Sequence, residues 1–240
     1  RTMWDLDAGS NSSDSEDNIA IGYAAMNGTW ANTRSDKNVA IGSYSMDGAL
    51  DGANDNVAIG HETLSSITTE DANVAVGSQA MYQGGGSQNI AIGDKAMYQG
   101  PTGGTNYAIG RYSMMDCNAG SNALSSNSNI AIGHAALGGT WADADSNRNI
   151  AIGHYTMDAG VNGAFYNIAI GYAALGALTE ADGNVAIGHN AGNEITTGGY
   201  NTVIGYEAGS ELKDDTGNTF LGAYSGYMVE SDENTFVGYE

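Results

Sequence analysis

The chain has few residues of several types that other proteins use for stability or chemistry. Among its 240 residues there is one cysteine, Cys117, and there are only 7 basic residues against 28 acidic ones. A single cysteine excludes a disulfide within the chain, and we expect it to be a small apolar filler. The net charge of −21 argues against nucleic acid and anionic membranes as partners. No apolar run approaches the roughly 18 residues of a membrane span, so we expect no membrane insertion in this segment.

Catalytic motifs are missing as well. An enzyme needs non-equivalent side chains at one place, for instance the two carboxylates of a glycosidase. Here each His or Asp has a counterpart on a repetitive face, and the sequence contains neither a unique Ser, His and Asp set nor a phosphate-binding glycine motif. We therefore predict that the chain is not an enzyme. Two alternatives are disfavoured. Glycan cleavage in a groove between chains would need such a unique set of residues. Lattice binding by a flat face, as for ice, would need a regular polar column, and the columns here are irregular.

What the sequence has in abundance is a short repeat. The residues NIAIG at 18–22 recur thirteen times with small variations, and in each copy a Gly follows the Asn by four residues. Successive copies are separated by 16 to 23 residues. Such a period predicts a solenoid, in which each coil buries apolar residues against its neighbours. The coils start at Asn18, Asn38, Asn56, Asn73, Asn89, Asn106, Asn129, Asn149, Asn167, Asn184, Asn201, Asn218 and Asn234.

Each repeat core reads as a strand between two special positions. Ile, Val or Tyr follows Asn in the first ten copies, Ala comes next in those copies, and Ile, Val or Leu precedes Gly in all thirteen. This period of two predicts a β-strand. Gly22 and its equivalents predict a corner with positive φ, or a place where a Cβ would strike the adjacent coil. Asn18 and its equivalents predict a side-chain ladder of hydrogen bonds along the axis.

Further columns follow the Gly. The third position after it is always Ala, Ser or Thr, and the fourth is Met or Leu from Met26 to Leu175 and Gly in the three later copies. We interpret the Met/Leu column as core. The first position varies and holds all four histidines, of which only His134 and His154 occupy consecutive coils. A metal-binding stripe is one interpretation of these histidines, but the irregularity of the column favours an exposed row.

The loops between the cores carry most of the charge and several aromatic residues. Exposed aromatic rings near Asn and Asp suit carbohydrate or protein contact. The alternative for the tryptophans is that their rings fold back over the coil. We take as ligand-contact candidates Trp30, Trp141, Tyr82, Tyr98, His134 and His154.

One loop has the alternation of a calcium site. Asp143, Asp145 and Asn147 are spaced like the first half of a calcium-binding loop. The Gly at the sixth position and the distant bidentate Glu of such a loop are missing. We therefore predict no cofactor, with calcium at these three residues as the alternative.

A longer period lies over the short one. A shift of 111 residues maps Asn18 onto Asn129 and Trp30 onto Trp141, insert lengths included. This match indicates the duplication of a six-coil block within a single repeat array over 1–240. Both ends of the sequence fall in the middle of a coil. Because open solenoid ends associate unless they are capped, we expect either a segment of a longer polypeptide or one that stacks end to end.

The cores also resemble those of a known family. NIAIGYAAM at 18–26, NVAIGSYSM at 38–46 and NIAIGHAAL at 129–137 are similar to the head repeats of trimeric autotransporter adhesins, the YadA-like head. The resemblance covers all thirteen cores. It implies a left-handed parallel β-roll, with three chains side by side, that projects from a cell surface. By that resemblance the Ile/Val columns, including Ile21, fill each roll, and the Ala column beginning at Ala20 lies at the contact between chains.

Together these observations predict an all-β parallel β-solenoid of about 13 short coils in a homotrimer. The predicted function is that of a structural extracellular fibre or adhesin-head segment, a rod that displays acidic and aromatic loops. Its expected partners are itself, as a trimer or an end-to-end filament, and a host surface, matrix protein or glycan. The last cores, such as NTFLGAYSG at 218–226, resemble phage tail-fibre repeats. The alternative is therefore a virion tail-fibre shaft that binds a host-receptor glycan.

Overall fold

The structure is a computed structural model, and it describes residues 15–30, 33–117, 125–141, 144–229 and 231–240. The regular elements of these residues are thirteen β-strands of three residues each, which form one sheet in the order of the sequence. They are β1 Ile19–Ile21, β2 Val39–Ile41, β3 Val57–Ile59, β4 Val74–Val76, β5 Ile90–Ile92, β6 Tyr107–Ile109, β7 Ile130–Ile132, β8 Ile150–Ile152, β9 Ile168–Ile170, β10 Val185–Ile187, β11 Thr202–Ile204, β12 Thr219–Leu221 and β13 Thr235–Val237.

All neighbouring strands pair in parallel and in the register of the repeat. Ile19 pairs with Val39, Ala20 with Ala40 and Ile21 with Ile41, and the same alignment continues to β13. Each repeat is therefore one coil, and the predicted parallel β-solenoid is confirmed. At about 4.8 Å between adjacent strands, thirteen coils extend for roughly 60 Å.

The Asn column forms the predicted ladder. The main-chain N–H of Asn38 donates to Oδ1 of Asn18 at 2.9 Å, and the same bond joins every later pair up to Asn234 at 2.8 to 3.0 Å. The side chains from Asn38 to Asn218 are fully buried. Each one therefore satisfies a buried main-chain donor that the three-residue strand leaves unpaired.

The Gly column meets both predicted conditions. Gly22 and its equivalents have φ between +132° and +145°, a region that side chains other than Gly rarely adopt. From Gly22 to Gly222, a Cβ would also strike the carbonyl oxygen of the equivalent Gly in the next coil. No other residue type fits the close stacking of coils at this corner.

Three columns of side chains fill the interior of the coils. The Met/Leu column from Met26 to Leu175 is fully buried, as predicted, and the small column beginning at Ala25 lies beside it. A further column comes from the loops and includes Trp30, Leu50 and Trp141, together with Cys117, whose thiol pKa is raised by burial well above its ordinary value. These side chains form one continuous apolar core.

The prediction for the two faces of the strand is wrong. The Ala column does not lie on a surface where chains could meet, because Ala40 and its equivalents up to Ala186 are fully buried inside the coil, with only Ala20 at the first coil partly exposed. The Ile and Val columns do not fill the roll, because both point away from the core. The interior already holds the long Met and Leu side chains, which leaves room for only a small residue on the strand.

Coils 11 and 12 show the same volume constraint with the large and small positions exchanged. In β11 and β12 the strand position occupied elsewhere by Ala is Val203 or Phe220, and both side chains are fully buried. In the same coils the Met/Leu position is Gly209 or Gly226. A Cβ on Gly209 would lie 2.7 Å from Val203 Cγ1, and one on Gly226 would overlap the Phe220 ring. A large residue on the strand thus replaces the large residue on the turn.

Candidate interaction surface

The outer face of the sheet is an apolar stripe that runs along the whole array. Its two columns consist of the first and third residue of every strand. The third residue is Ile, Val or Leu throughout, with 56% of Ile21, 39% of Ile109 and 46% of Leu221 exposed. The first residue is Ile or Val in β1 to β5 and β7 to β10, Tyr107 in β6, and Thr in β11 to β13.

The size of this stripe sets it apart from ordinary exposed hydrophobic residues. Two side-chain columns about 10 Å wide over roughly 60 Å give about 600 Å² of continuous surface. This is at the upper end of the largest apolar patch of a typical monomer, and such patches usually mark an interaction site. We call it the sheet face.

Aromatic rings border the sheet face at the turn that follows the Gly in most coils. His134 lies 5.9 Å from His154, measured between ring centroids. Farther along, His189 stacks between Tyr172 and Tyr206, with centroids 5.1 Å away on both sides. The histidines are therefore members of a row of stacked rings, and in the described residues no group of three potential ligands is placed to hold a metal ion.

Among the other contact candidates, the tyrosines and the tryptophans differ in their exposure to solvent. Tyr82 and Tyr98 stack at 5.1 Å with planes 9° apart, and both side chains are half-buried, so each remains partly accessible to solvent. Trp30 and Trp141 are 1% and 0% exposed, and Trp141 donates its ring N–H to the carbonyl of Leu137 at 3.2 Å. The tryptophan rings thus fill the core column from the loops and offer no surface to a partner.

The calcium candidates that the structure describes accept hydrogen bonds from the main chain. Asp145 Oδ1 accepts from the main chain of Ser125 at 3.2 Å, and Asn147 Oδ1 accepts from the main chain of Asn127. Asp143 lies outside the described residues. Each acceptor binds an amide of the preceding coil, so these side chains connect neighbouring coils.

A second column of Asn and Asp, two residues before the ladder Asn, makes the same kind of bond. Asp36 accepts from Glu16, Asn54 from Asp36 and Asp71 from Asn54, at 2.7 to 2.8 Å. The repeat pattern did not reveal this column because its residues alternate with Ser, Gly and Phe. The signal that would have revealed it is the recurrence of Asn or Asp at that one offset in otherwise variable loops.

Hydrogen bonding and burial shift the pKa of several aspartates. A hydrogen bond from Arg34 lowers the pKa of Asp36. Desolvation raises the pKa of Asp215, and it also raises the pKa of Asp47 and Asp158. These two occupy equivalent positions in the two 111-residue blocks.

Comparison with known proteins adds no assignment: no family model, no curated protein and no solved structure matches the chain. Within the residues that the structure describes, no helix has the length and apolarity needed to cross a bilayer. A functional assignment therefore depends on the geometry of the surfaces and on the resemblance of the repeat cores.

Proposed function

We propose that the chain is a segment of an extracellular structural fibre or adhesin head, in which three left-handed β-rolls associate side by side through the sheet face. The observation that carries the proposal is the continuous column of Ile, Val and Leu at the third strand position, exposed or half-buried in all thirteen coils. The resemblance of the NIAIG cores to YadA-like heads supports the trimer and the left-handed winding. The rod would hold acidic and aromatic loops away from a surface for contact with a host or matrix partner.

A second copy of the chain is the partner that suits the sheet face best. The stripe repeats at the rise of one coil, so a copy with the same rise keeps the same side-chain packing at every step. A globular partner would match it at only a few coils. The estimated 600 Å² per chain approaches the roughly 800 Å² per partner of a standard interface, and in a trimer each chain would contact two others. The mutual burial of aliphatic side chains would supply the driving force.

Chemical cross-linking tests this arrangement. In a Cys117→Ala background, Ile109→Cys places a single thiol on the sheet face and Thr197→Cys places one on an exposed loop. We expect a short bifunctional maleimide to join chains of the Ile109→Cys variant into covalent dimers at low micromolar protein, and to leave the Thr197→Cys variant uncoupled. Equal coupling of both variants, or none at Ile109→Cys, would show that chains do not meet at this face.

A specific observation also favours the second candidate, a phage tail-fibre shaft on a virion. The last three coils have Thr at the first strand position and Val203, Phe220 or Phe236 at the second, in contrast to the ten coils before them. Adsorption separates the two functions. A tail-fibre segment should bind bacterial cells and lose that binding when the surface polysaccharide is removed, whereas an adhesin segment should bind immobilised matrix proteins.

A further inference from the structure

A cleft of about 440 Å³ opens on the turns of coils 8 to 10. Its floor is formed by the small residues of coil 9, including Gly176 and Ala177, and its walls by Tyr155 and Asp158 on coil 8 and by Asn193 on coil 10. No strand residue lines it, so the cleft and the sheet face are separate surfaces. The volume lies in the range of small-ligand sites.

Two polar side chains of the cleft, those of Asp158 and Asn193, have no hydrogen bond with another described residue. Asp158 is half-buried, and no described residue donates a hydrogen bond to its carboxyl group. The side-chain amide of Asn193 likewise has no hydrogen bond with another described residue. Glu194, at the far wall, has Lys213 Nζ at 3.7 Å. A partly desolvated carboxylate without a donor is costly. Desolvation raises the pKa of Asp158, and attraction by His134 offsets part of that effect.

The first 111-residue block has a serine at the position that corresponds to Gly176 in the cleft. The 111-residue shift maps Asp158 onto Asp47 and Gly176 onto Ser65. The Ser65 hydroxyl donates to the carbonyl of Tyr44 at 3.1 Å, and its proximity to the carboxyl group of Asp47 lowers the pKa of that group, which offsets part of the effect of burial. The replacement of Ser by Gly in the second block removes this hydroxyl, and Asn193 Oδ1 lies 2.5 Å from the place that a Cβ at residue 176 would take.

We infer that the cleft binds a lysine or arginine side chain of a partner protein. The carboxylate of Asp158 would accept hydrogen bonds from the cationic head group, and such charge-assisted bonds are among the stronger ones. Tyr155 also lines the cleft, where its ring contacts His134 and Tyr172, and tyrosine rings attract cations. In this chain Arg111 and Arg148 already lie over tyrosine rings, at 4.3 and 5.3 Å from the centroids. The net charge of −21 favours a basic partner and repels an anionic one.

The inference rests on the proposed display function, since it names the chemistry of the displayed surface. Its test uses the full chain, isotopically labelled, and the peptides acetyl-Gly-Arg-Gly-amide and acetyl-Gly-Lys-Gly-amide. We expect NMR shift changes at the amides of Gly176, Ala177 and Asn193 on titration. Asp158→Asn should weaken binding by at least about tenfold. Gly176→Ser should do the same, because a Cβ at residue 176 would lie 2.5 Å from Asn193 Oδ1 and displace that wall of the cleft.

Asp47→Asn is the matched control, because it removes the same charge at the equivalent position of the other block. It should leave the binding constant unchanged. Equal loss in Asp47→Asn and Asp158→Asn, or shifts spread over the acidic loops, would show general charge attraction and overturn the proposed site. So would unchanged binding in Gly176→Ser. The titration works on whichever assembly the chain forms, so its failure and the failure of chain association can be told apart.

Discussion

Phe220→Ala tests the volume constraint that determines which strand face is inside. Phe220 is fully buried, and its ring occupies the space that a Met side chain fills in earlier coils. Truncation of a buried Phe removes its transfer free energy and leaves a cavity, which together cost about 3–5 kcal/mol. We expect a loss of this size in the free energy of unfolding of the C-terminal coils.

The compensating change should recover part of this loss. Gly226→Met alone drives a side chain into the Phe220 ring, and overpacking of this kind costs about 1–3 kcal/mol. In the double variant Phe220→Ala with Gly226→Met, coil 12 takes the Ala and Met combination that coil 5 already has at Ala91 and Met97. The two changes should therefore be non-additive, with the double variant more stable than Phe220→Ala by about 1–3 kcal/mol.

Native-state hydrogen exchange is the suitable assay because a solenoid can unfold from one end. The amide of Gly222, which donates to the carbonyl of Ile204 at 2.8 Å, reports on the opening of coil 12. The amide of Gly93, at coil 5, serves as the internal reference. A loss below about 1 kcal/mol in Phe220→Ala, or strict additivity in the double variant, would refute the reasoning that strand and turn side chains share one interior volume.

Other predictions concern the ladder, the core and the carboxyl groups. Asn129→Ala removes the acceptor of the Asn149 main-chain N–H, which lies 3.0 Å away, and should cost about 2–4 kcal/mol in thermal or denaturant unfolding. Ala91→Leu overpacks the coil and should destabilise the single chain by about 1–3 kcal/mol, even where chains do not associate. His154→Ala, at an exposed ring, should change stability by less than about 0.5 kcal/mol. The raised pKa of Asp158 means that the folded state binds its proton more tightly, so this group's contribution to stability falls as the pH rises from 3.8 through the raised pKa. Asp158→Asn should remove this pH-dependent loss of stability. An Asp158→Asn variant with the same pH profile of unfolding as the original chain would contradict the prediction.

Much of the fold could be predicted from the sequence because a few positions permit only one residue type. Gly22 and its equivalents combine positive φ with backbone contact, and Asn18 and its equivalents pair a buried main-chain donor with a buried acceptor. Such constraints act on each coil separately and appear as invariant columns. The strand period, the coil count and the buried Met column depend on the same kind of local evidence.

The inward face of the strand could not be predicted from alternation alone. Period two separates Ala from its Ile and Val neighbours, but it does not say which set is inside, and the larger residues were the natural choice for a core. The deciding information is the interior volume, which depends on the turn on the opposite side of the coil. The reciprocal exchange of Ala and Met for Phe220 and Gly226 contains that information in the sequence itself.

The surfaces were harder to predict than the scaffold. Trp30 was an expected contact residue, and it is buried because its loop returns over the coil. The cleft at Asp158 is formed by three coils together, and it depends on the absence of a hydroxyl at Gly176. No single sequence motif contains this information. The duplicated block supplies the comparison that makes this absence visible.

The mass of the particle in solution tests the central claim, that rods associate through the sheet face, most directly. Light scattering on the purified chain, with particle length from electron micrographs, should give a discrete particle of three 24.6 kDa chains and roughly 60 Å length. Ile109→Glu together with Ile132→Glu, which charges the centre of the face, should reduce it to single chains. A wild-type chain that remains a monomer at tens of micromolar, or a double variant that stays trimeric, would contradict the account.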